Sequence, residues 1–436
     1  MQKYYLAIDI GASSGRHIVG VSEGETITLE EVYRFPNGMV RSEEGLVWNT
    51  AELFTEIVKG IALCIKKVGK IESLAIDTWG VDYALLRGGE LIPPVYAYRS
   101  DRTEKAINEV HKRIAPEKLY AVTGEQFQPF NTIYQLYADK QSGRLDAATD
   151  FLMMPEYFNY LLTGKKVKEY TNATTGAFVN ARTGEFDREI VETLGFPLGF
   201  PPVLFQPLHF AGEEVGDLKP EIQKQVGGNI KVKLCASHDT ACAFEAVETE
   251  EHSVLISSGT WSLVGAKIKN ADTSERSFRR NFANEGGVGY FRYLKNIMGM
   301  WIVNNLAKEL GMSAIEAEKA ATLSSYDRTF NVNHPSLVAP ASMMEAVETL
   351  LGERLSPADL FASVFHSLAA SYAETVKEIE ETLGAPVTKI YIVGGGAKNK
   401  FLNELTEKHS KKPVVAMPIE ATALGNIKTQ MMQKSI

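Results

Sequence analysis

Cysteine is scarce in this chain of 436 residues: Cys64, Cys235 and Cys242 are an odd number and form no CxxC pair. A disulfide framework is thereby excluded, and the expectation is buried, inert thiols in a reducing cytoplasm. No apolar run reaches the about 18 residues that would cross a bilayer. The opening MQKYYLAIDIG lacks the basic stretch, apolar core and cleavage site of a signal peptide. Positive charge is also short, with 46 Lys and Arg against 54 Asp and Glu and a net charge of −8. Nucleic acid is therefore not an expected partner, because neutralising phosphates needs a basic face. A single anionic ligand remains possible, since backbone N–H groups and helix ends can hold one. There is no GxxxxGK[ST], no GxGxxG, no HExxH and no GxSxG. Walker-type phosphate binding, hydride chemistry, zinc proteolysis and serine hydrolysis lose their signatures with them. No His/Cys cluster has metal-ligand spacing, so a metal is expected only in company with a nucleotide.

What is present is a long, ordinary globular composition, 44% hydrophobic and 23% charged. Single cores stop growing near about 250–300 residues, so two domains are expected. Tyr4–Ile10, His17–Ser22 and Thr26–Phe35 read as three strands with tight turns, an antiparallel meander. Asn49 followed by Glu52 opens a helix running to about Lys67, and Ile71–Ile76 follows as a buried strand. The order β-β-β-α-β opens an α/β layer domain. Residues 100–225 read as mixed and helical, with loops at Pro129, Pro155, Pro197, Pro201, Pro202 and Pro207. A strand at 231–236, a helix at 239–247 and strands at 252–257 and 262–268 come next. "IDIGASSGRHIVG" (8–20) and "LISSGTWSLVG" (255–265) share the order strand, small-residue turn, strand, a weak internal repeat that suggests two domains of one kind. The boundary is drawn at 245, giving 1–245 and 246–436. A long helix at 357–383, a strand at 388–393, a glycine run, a helix from Asn399, a strand at 413–416 and a helix from Glu420 complete the chain.

Six segments can carry chemistry. In Asp9-Ile10-Gly11-Ala12-Ser13-Ser14-Gly15-Arg16, small residues let backbone N–H groups face a phosphate, the serines add hydroxyls, and Asp9 can hold a hydrated Mg²⁺. The alternative is a plain hairpin. Ser257–Ser262 is a second hairpin of similar make, and the pair can grip one polyphosphate across a cleft. Gly394-Gly395-Gly396, between a buried strand and a helix, lets backbone approach a flat ligand. In Ala236-Ser237-His238-Asp239-Thr240, Asp239 can take a proton from an attacking hydroxyl, or it can simply cap the following helix. Asp77-Thr78-Trp79-Gly80-Val81-Asp82 offers two carboxylates and an indole to a sugar, or forms a β-turn. Lys295–Trp301 reads as the start of an amphipathic helix on which Asn296 can reach a ligand.

Together AIDIGASSGR, IDTWGVDYALL, AYRSDRT, PFNTIYQL, YTNATT, ASHDTACA, SSGTWSL, LKNIMG and IVGGG resemble the FGGY family of carbohydrate kinases over nearly the whole chain. The resemblance implies an α/β fold of two actin-like (ribonuclease H-like) domains with an interdomain catalytic cleft. IDTWGVD, ASHDTA and LKNIMG are particular to a branch in which ATP phosphorylates the 1-hydroxyl of L-rhamnulose. Carried over, Asp239 is the general base, and Gly80, His238, Thr240 and Asn296 form the sugar site. Ala12, Ser13, Ser14, Gly15, Arg16 and Thr260 hold the phosphates of ATP, with Asp9 reaching Mg²⁺ through water. Gly395 and Gly396 lie on the adenine side, and Asn304 stands on the bordering helix where the family often has Gln. Relatives usually continue for several residues beyond the point corresponding to Ile436. Partners are then a sugar and ATP, with no nucleic acid and no membrane, and the protein is expected as a monomer or weak homo-oligomer. Two rival readings stay open: a kinase for another ketose or polyol such as fuculose or xylulose, and a non-catalytic actin-like sensor.

Overall fold

The computed structural model describes residues 2–24, 26–197, 204–247, 252–338, 340–417 and 420–432; the loop prolines Pro201 and Pro202 fall outside them. The chain divides into two compact units. One comprises Met1–Val247, Lys269–Arg292 and Thr422–Ile436; the other comprises Glu248–Ile268 and Tyr293–Ala421.

The first unit opens with strands β1 (Lys3–Ile10), β2 (Ser14–Glu23) and β3 (Thr26–Pro36), each antiparallel to the one before. This is the expected meander. Helix α1 (Thr50–Val68) starts where Asn49 Oδ1 accepts the Glu52 N–H at 3.2 Å, and buries Leu53, Ile57, Ile61 and Cys64. Strand β4 (Ser73–Thr78) then crosses over to lie parallel to β1, pairing Asp9 with Asp77. With β5 (Glu214–Asp217) and β6 (Lys231–Lys233), the sheet runs β5-β6-β4-β1-β2-β3. The C-terminal helix Ala421–Met431 returns to this unit, where Ala423 and Ile427 join Ala7 and Ile18 in one buried cluster.

The middle of the chain is helical but also holds a three-stranded sheet of Glu90–Ile92, Tyr83–Arg87 and Asp150–Met153, which the sequence did not reveal. It packs on a cluster of rings that includes Phe151, Phe178, Phe186 and Phe205. Pro155 lies in the first turn of helix Met154–Thr163 rather than in a loop, a position that needs no N–H donor and suits its fixed φ. Helix α2 (Asp239–Ala246) closes the first stretch of the unit.

The second unit repeats the device. Strands β7 (Ser253–Ser258) and β8 (Trp261–Ile268) form an antiparallel hairpin. Strand β9 (Phe291–Met298, of which Tyr293 onward belongs here), helix α3 (Trp301–Glu309) and helix α4 (Pro357–Leu383) follow. Strand β10 (Lys389–Val393) lies parallel to β7 as β4 does to β1, and beyond helix α5 (Lys400–Ser410) comes β11 (Val414–Ala416). The order is β9-β8-β7-β10-β11. The weak repeat in sequence is thus a shared topology: a hairpin with a small-residue tip, flanked by a parallel crossover strand.

One expectation fails here. Lys295–Met298 end strand β9, and the helix begins only at Trp301. The backbone of Leu294 approaches so closely that a Cβ on Gly265 of β8 would lie 2.8 Å from its Cα. The Gly299 and Met300 N–H groups donate to Thr260 and Gly259 carbonyls at 3.2 and 2.9 Å instead of entering a helical ladder. Pairing with the hairpin overrides the local pattern of apolar residues.

Candidate active site

At the tip of the first hairpin, Gly11 N–H donates to Ser14 O at 2.9 Å, and Asn37 Nδ2 fastens the Gly11 carbonyl at 2.8 Å. Ala12 and Ser14 are half-buried, Ser13 is exposed, and Gly15 is buried against the Phe35 ring, where a Cβ would lie 2.0 Å from a ring carbon. Arg16 turns back to form an ion pair with Asp9. This leaves a short, pinned turn that presents backbone and one exposed hydroxyl.

At the next strand end both carboxylates lie inside the protein. Asp77 is wholly buried; Asn426 Nδ2 donates to its Oδ2 at 2.6 Å, and Oδ1 has no hydrogen-bond partner. Burial, and then the neighbouring Asp9, push its carboxyl well above the usual range. Asp82 is equally buried, accepting from Trp48 Nε1 (2.7 Å), Trp79 Nε1 (3.0 Å), Tyr98 N (3.1 Å) and Gln135 Nε2 (3.0 Å). Burial raises it to about 6 despite these donors. Both carboxylates and the Trp79 indole N–H are therefore committed inside the protein. Gly80, half-buried, stays at the surface of the site. Val81 beyond it holds φ 66°, strained for a β-branched residue. Thr175 Oγ1 accepts its N–H at 3.1 Å, and Thr132 Oγ1 donates to its carbonyl at 2.7 Å, which secures that conformation.

Asp239 is the first residue of α2, after His238 in the cap position with no capping side-chain bond. The carboxylate is thus not spent as an N-cap. Thr240 Oγ1 donates to its Oδ1 at 3.1 Å, and His238 Nε2 stands 3.4 Å from the same oxygen. Burial raises the Asp239 carboxyl while His238 pulls it down. Behind them, Glu285 Oε2 lies 3.1 Å from His238 Nδ1 and 2.7 Å from Arg292 Nη1. Arg292 is fully buried. Burial pushes the Glu285 carboxyl up, but Arg292 and His238 outweigh it and hold it below its ordinary value. Glu169 braces the preceding residue, accepting from Ser237 Oγ (2.5 Å), Thr171 N (2.8 Å) and Asn172 N (3.0 Å). Asn172 Nδ2 in turn reaches the carbonyls of Trp79 and Ser237, at 3.4 and 3.3 Å. Glu169, Asn172, Glu285 and Arg292 were not singled out from sequence. YTNATT held a signal for Asn172, whereas Glu285 and Arg292 sit in segments with none.

In the second unit, Thr260 is half-buried at the hairpin tip, and its carbonyl accepts from Gly299 and Trp301 N–H groups at 3.2 Å. Gly394 takes φ +83°, where a Cβ would lie 2.7 Å from the Ser258 carbonyl oxygen, and a Cβ on Gly396 would lie 2.0 Å from Ser258 Oγ. Gly395 faces open space. The glycine run therefore lies against the strand that carries the hairpin, as Trp79-Gly80 follows β4 in the first unit. Asn296 lies on β9, half-buried, and Asn304 is exposed on α3.

Two family models cover almost the whole chain: the FGGY family of carbohydrate kinases, N-terminal domain, over residues 4–244, and its C-terminal domain over 254–433. The chain belongs to the FGGY family of carbohydrate kinases. An FGGY kinase is a phosphotransferase with a sugar acceptor and ATP as donor. This FGGY chain is 40% identical to the rhamnulokinase of Oceanobacillus iheyensis, over 99% of its own length and 93% of that relative. It is also 40% identical to the rhamnulokinase of Halalkalibacterium halodurans, over 98% and 93%. Ligand-bound xylulose kinase from Lactobacillus acidophilus shares the fold, with a TM-score of 0.81 at 14% identity over 98% of this chain and 89% of that one. The actin-like sugar-kinase fold expected from the resemblance is borne out.

One grouping escaped the reading of cysteine spacing. Asp77, Cys235 and Cys242 of this FGGY kinase bring ligand atoms within 4.8 Å of one another, all buried. Both thiols already donate, Cys235 to Ile76 O at 3.3 Å and Cys242 to Ala236 O at 2.9 Å. Burial and the adjacent Cys235 push the Cys242 thiol well above its ordinary value. The trio packs the root of α2. No helix among the described residues is long and apolar enough to cross a membrane.

Proposed function

We propose that this kinase transfers the γ-phosphoryl group of ATP to the 1-hydroxyl of L-rhamnulose, with Asp239 as general base. The observation that carries the reading is the state of that carboxylate. It is half-buried at the start of α2, with Thr240 Oγ1 donating to its Oδ1 and His238 Nε2 3.4 Å from the same oxygen. The similarity to rhamnulokinases over nearly full length supports the choice of sugar.

As the hydroxyl oxygen bonds to the γ-phosphorus, its proton passes to Asp239 Oδ2, and ADP leaves with the electron pair of the broken P–O bond. Gly80, His238, Thr240 and Asn296 orient the ketose. Gly80 has no side chain to crowd it, Thr240 and Asn296 supply hydrogen bonds, and the His238 ring forms a wall beside the sugar. Ala12, Ser13, Ser14, Gly15, Arg16 and Thr260 hold phosphate oxygens, while Gly395 and Gly396 receive the base of the nucleotide with Asn304 beside it. Asp9 offers a hard oxygen donor next to the first hairpin tip, which fits Mg²⁺ held through water. When bound, that ion spreads the charge of the phosphates. We assign the two kinase domains to 1–245 and 246–436, and place the protein in the cytoplasm as a monomer or weak homo-oligomer.

A coupled ADP-release assay over a panel of ketoses tests the reading. L-Rhamnulose is expected to give the highest kcat/KM, and Asp239→Asn to cut turnover by about 10²-fold or more while binding of both substrates persists. Preference for fuculose or xylulose would move the substrate assignment. ATP hydrolysis indifferent to every sugar would overturn the kinase reading in favour of a sensor, and near-normal turnover by Asp239→Asn would remove the base.

A further inference from the structure

The excursion Lys269–Arg292 leaves the second half of the sequence to join the first unit, and it delivers two charged residues to the back of His238. Arg292 is 0% exposed and is held at three points: Nε donates to Gly286 O at 2.9 Å, Nη2 to Thr171 O at 3.4 Å, and Nη1 meets Glu285 Oε2 at 2.7 Å. Its Nη1 also stands 3.1 Å from His238 Nδ1, because both nitrogens converge on the same carboxylate oxygen. A carboxylate oxygen can only accept, so the ring presents N–H at Nδ1 to Glu285. Its other nitrogen faces a second carboxylate, Asp239 Oδ1, at 3.4 Å. The ring is therefore clamped between two acids, and one of them is the proposed base.

We propose that Glu285 and Arg292 are positioning residues for the base: they fix the ring of His238 so that Nε2 holds Asp239 Oδ1, leaving Oδ2 turned to the acceptor hydroxyl. The proposal rests on Asp239 being the base. Its physical content is orientation and charge. Arg292, immobile in its three bonds, fixes Glu285. Glu285 then fixes the plane of the ring. The ring held there opposes the burial that otherwise raises the Asp239 carboxyl. Other charged or phenolic groups near this cluster include Glu125, Glu169, Tyr170, Asp9 and Asp77. Glu125 lies beyond Glu285, and its carboxyl is pushed well above its usual range by burial and by Glu285. Glu169 sits on Ser237, Tyr170 beside Arg292, and Asp9 and Asp77 beyond Asp239.

Glu285→Gln in the full chain is the test, read as kcat and KM against pH. Without the carboxylate the ring loses its anchor, its hold on Asp239 Oδ1 loosens, and the buried Asp239 carboxyl becomes harder to ionise. The acid side of the kcat/KM profile is then expected to move up by about one pH unit, with kcat about tenfold lower and the KM for the sugar little changed. A purely structural role would scale the profile down without moving it, and a superimposable profile would overturn the proposal. Because Glu285→Gln strands a buried guanidinium, His238→Gln and the double variant are measured as well. If Glu285 acts through the ring, the double variant is no worse than His238→Gln alone, while additive losses count against it. Nitrogen-15 NMR of the labelled histidines supplies a readout independent of turnover. The His238 Nδ1–H is expected to be protected from exchange with water in the wild type and to exchange faster in Glu285→Gln. Should the wild type phosphorylate no sugar, the proposed function falls, and the NMR result alone judges the clamp.

Discussion

His17 shows how much one buried ring can contribute to pH dependence. It is wholly buried, its Nε2–H donates to Ile57 O at 3.0 Å, and Nδ1 has no partner. Burial lowers its pKa from 6.5 to about 4. The folded ring is neutral where the unfolded ring is charged, so its contribution is complete above about pH 6.5 and lost as pH falls toward 4. That difference amounts to roughly 3 kcal/mol. Glu156 acts in the opposite sense: burial raises it to about 7, so its contribution is lost as pH rises from 4.5. A comparison with His17→Gln separates the two. The stability gap between wild type and variant, measured by urea unfolding, is expected to shrink by roughly 3 kcal/mol between pH 7 and pH 4. A gap independent of pH would rule the account out.

Helix packing in the first unit depends on glycines whose missing side chains cannot be inferred from helix propensity. In α1, a Cβ on Gly60 would lie 2.3 Å from the His17 ring. In the C-terminal helix, a Cβ on Gly425 would lie 1.7 Å from the Cys242 carbonyl oxygen of α2, which is backbone and cannot step aside. Propensity alone gives Ala an advantage of about 1 kcal/mol over Gly within a helix. Overpacking is expected to win, so Gly425→Ala should destabilise by about 3 kcal/mol. Because the collision falls on the helix that begins with Asp239, turnover should drop as well. A denaturant midpoint equal to wild type, with full activity, would show that the two helices separate freely.

The path of the chain as a whole makes the first unit depend on residues far along in sequence. Gln430 Nε2 donates to Leu6 O at 3.0 Å, its Oε1 accepts from Ser73 Oγ at 2.7 Å, and Asn426 serves Asp77. A chain ending at residue 420 loses these partners and uncovers Ala7 and Ile18. It is expected to be insoluble, or to melt about 10 °C or more below the full chain. An unchanged melting temperature in calorimetry would refute that dependence. The same path explains what was hard to read. For Asp77 and Asp82 the sequence left open sugar contacts or a β-turn, and Asn426, Trp48 and Gln135, from 34 to 349 positions away, hold both carboxylates inside.

The sequence by itself determined whatever depends on a few adjacent residues. Apolar runs marked β1, β4 and β10, and Asn49 and the Gly-Ser tips announced where α1 and the hairpins begin. The amphipathic run 357–383 marked α4, and the structure shows its ends held by the Ser356 cap and a left-handed Gly384. Tertiary structure alone decided which polar groups face the acceptor and which are consumed inside. A buried donor or acceptor must find its partner wherever the fold brings one. So Glu285 and Arg292 meet His238 across 47 and 54 positions, and Lys295–Met298 becomes a strand because a hairpin lies beside it.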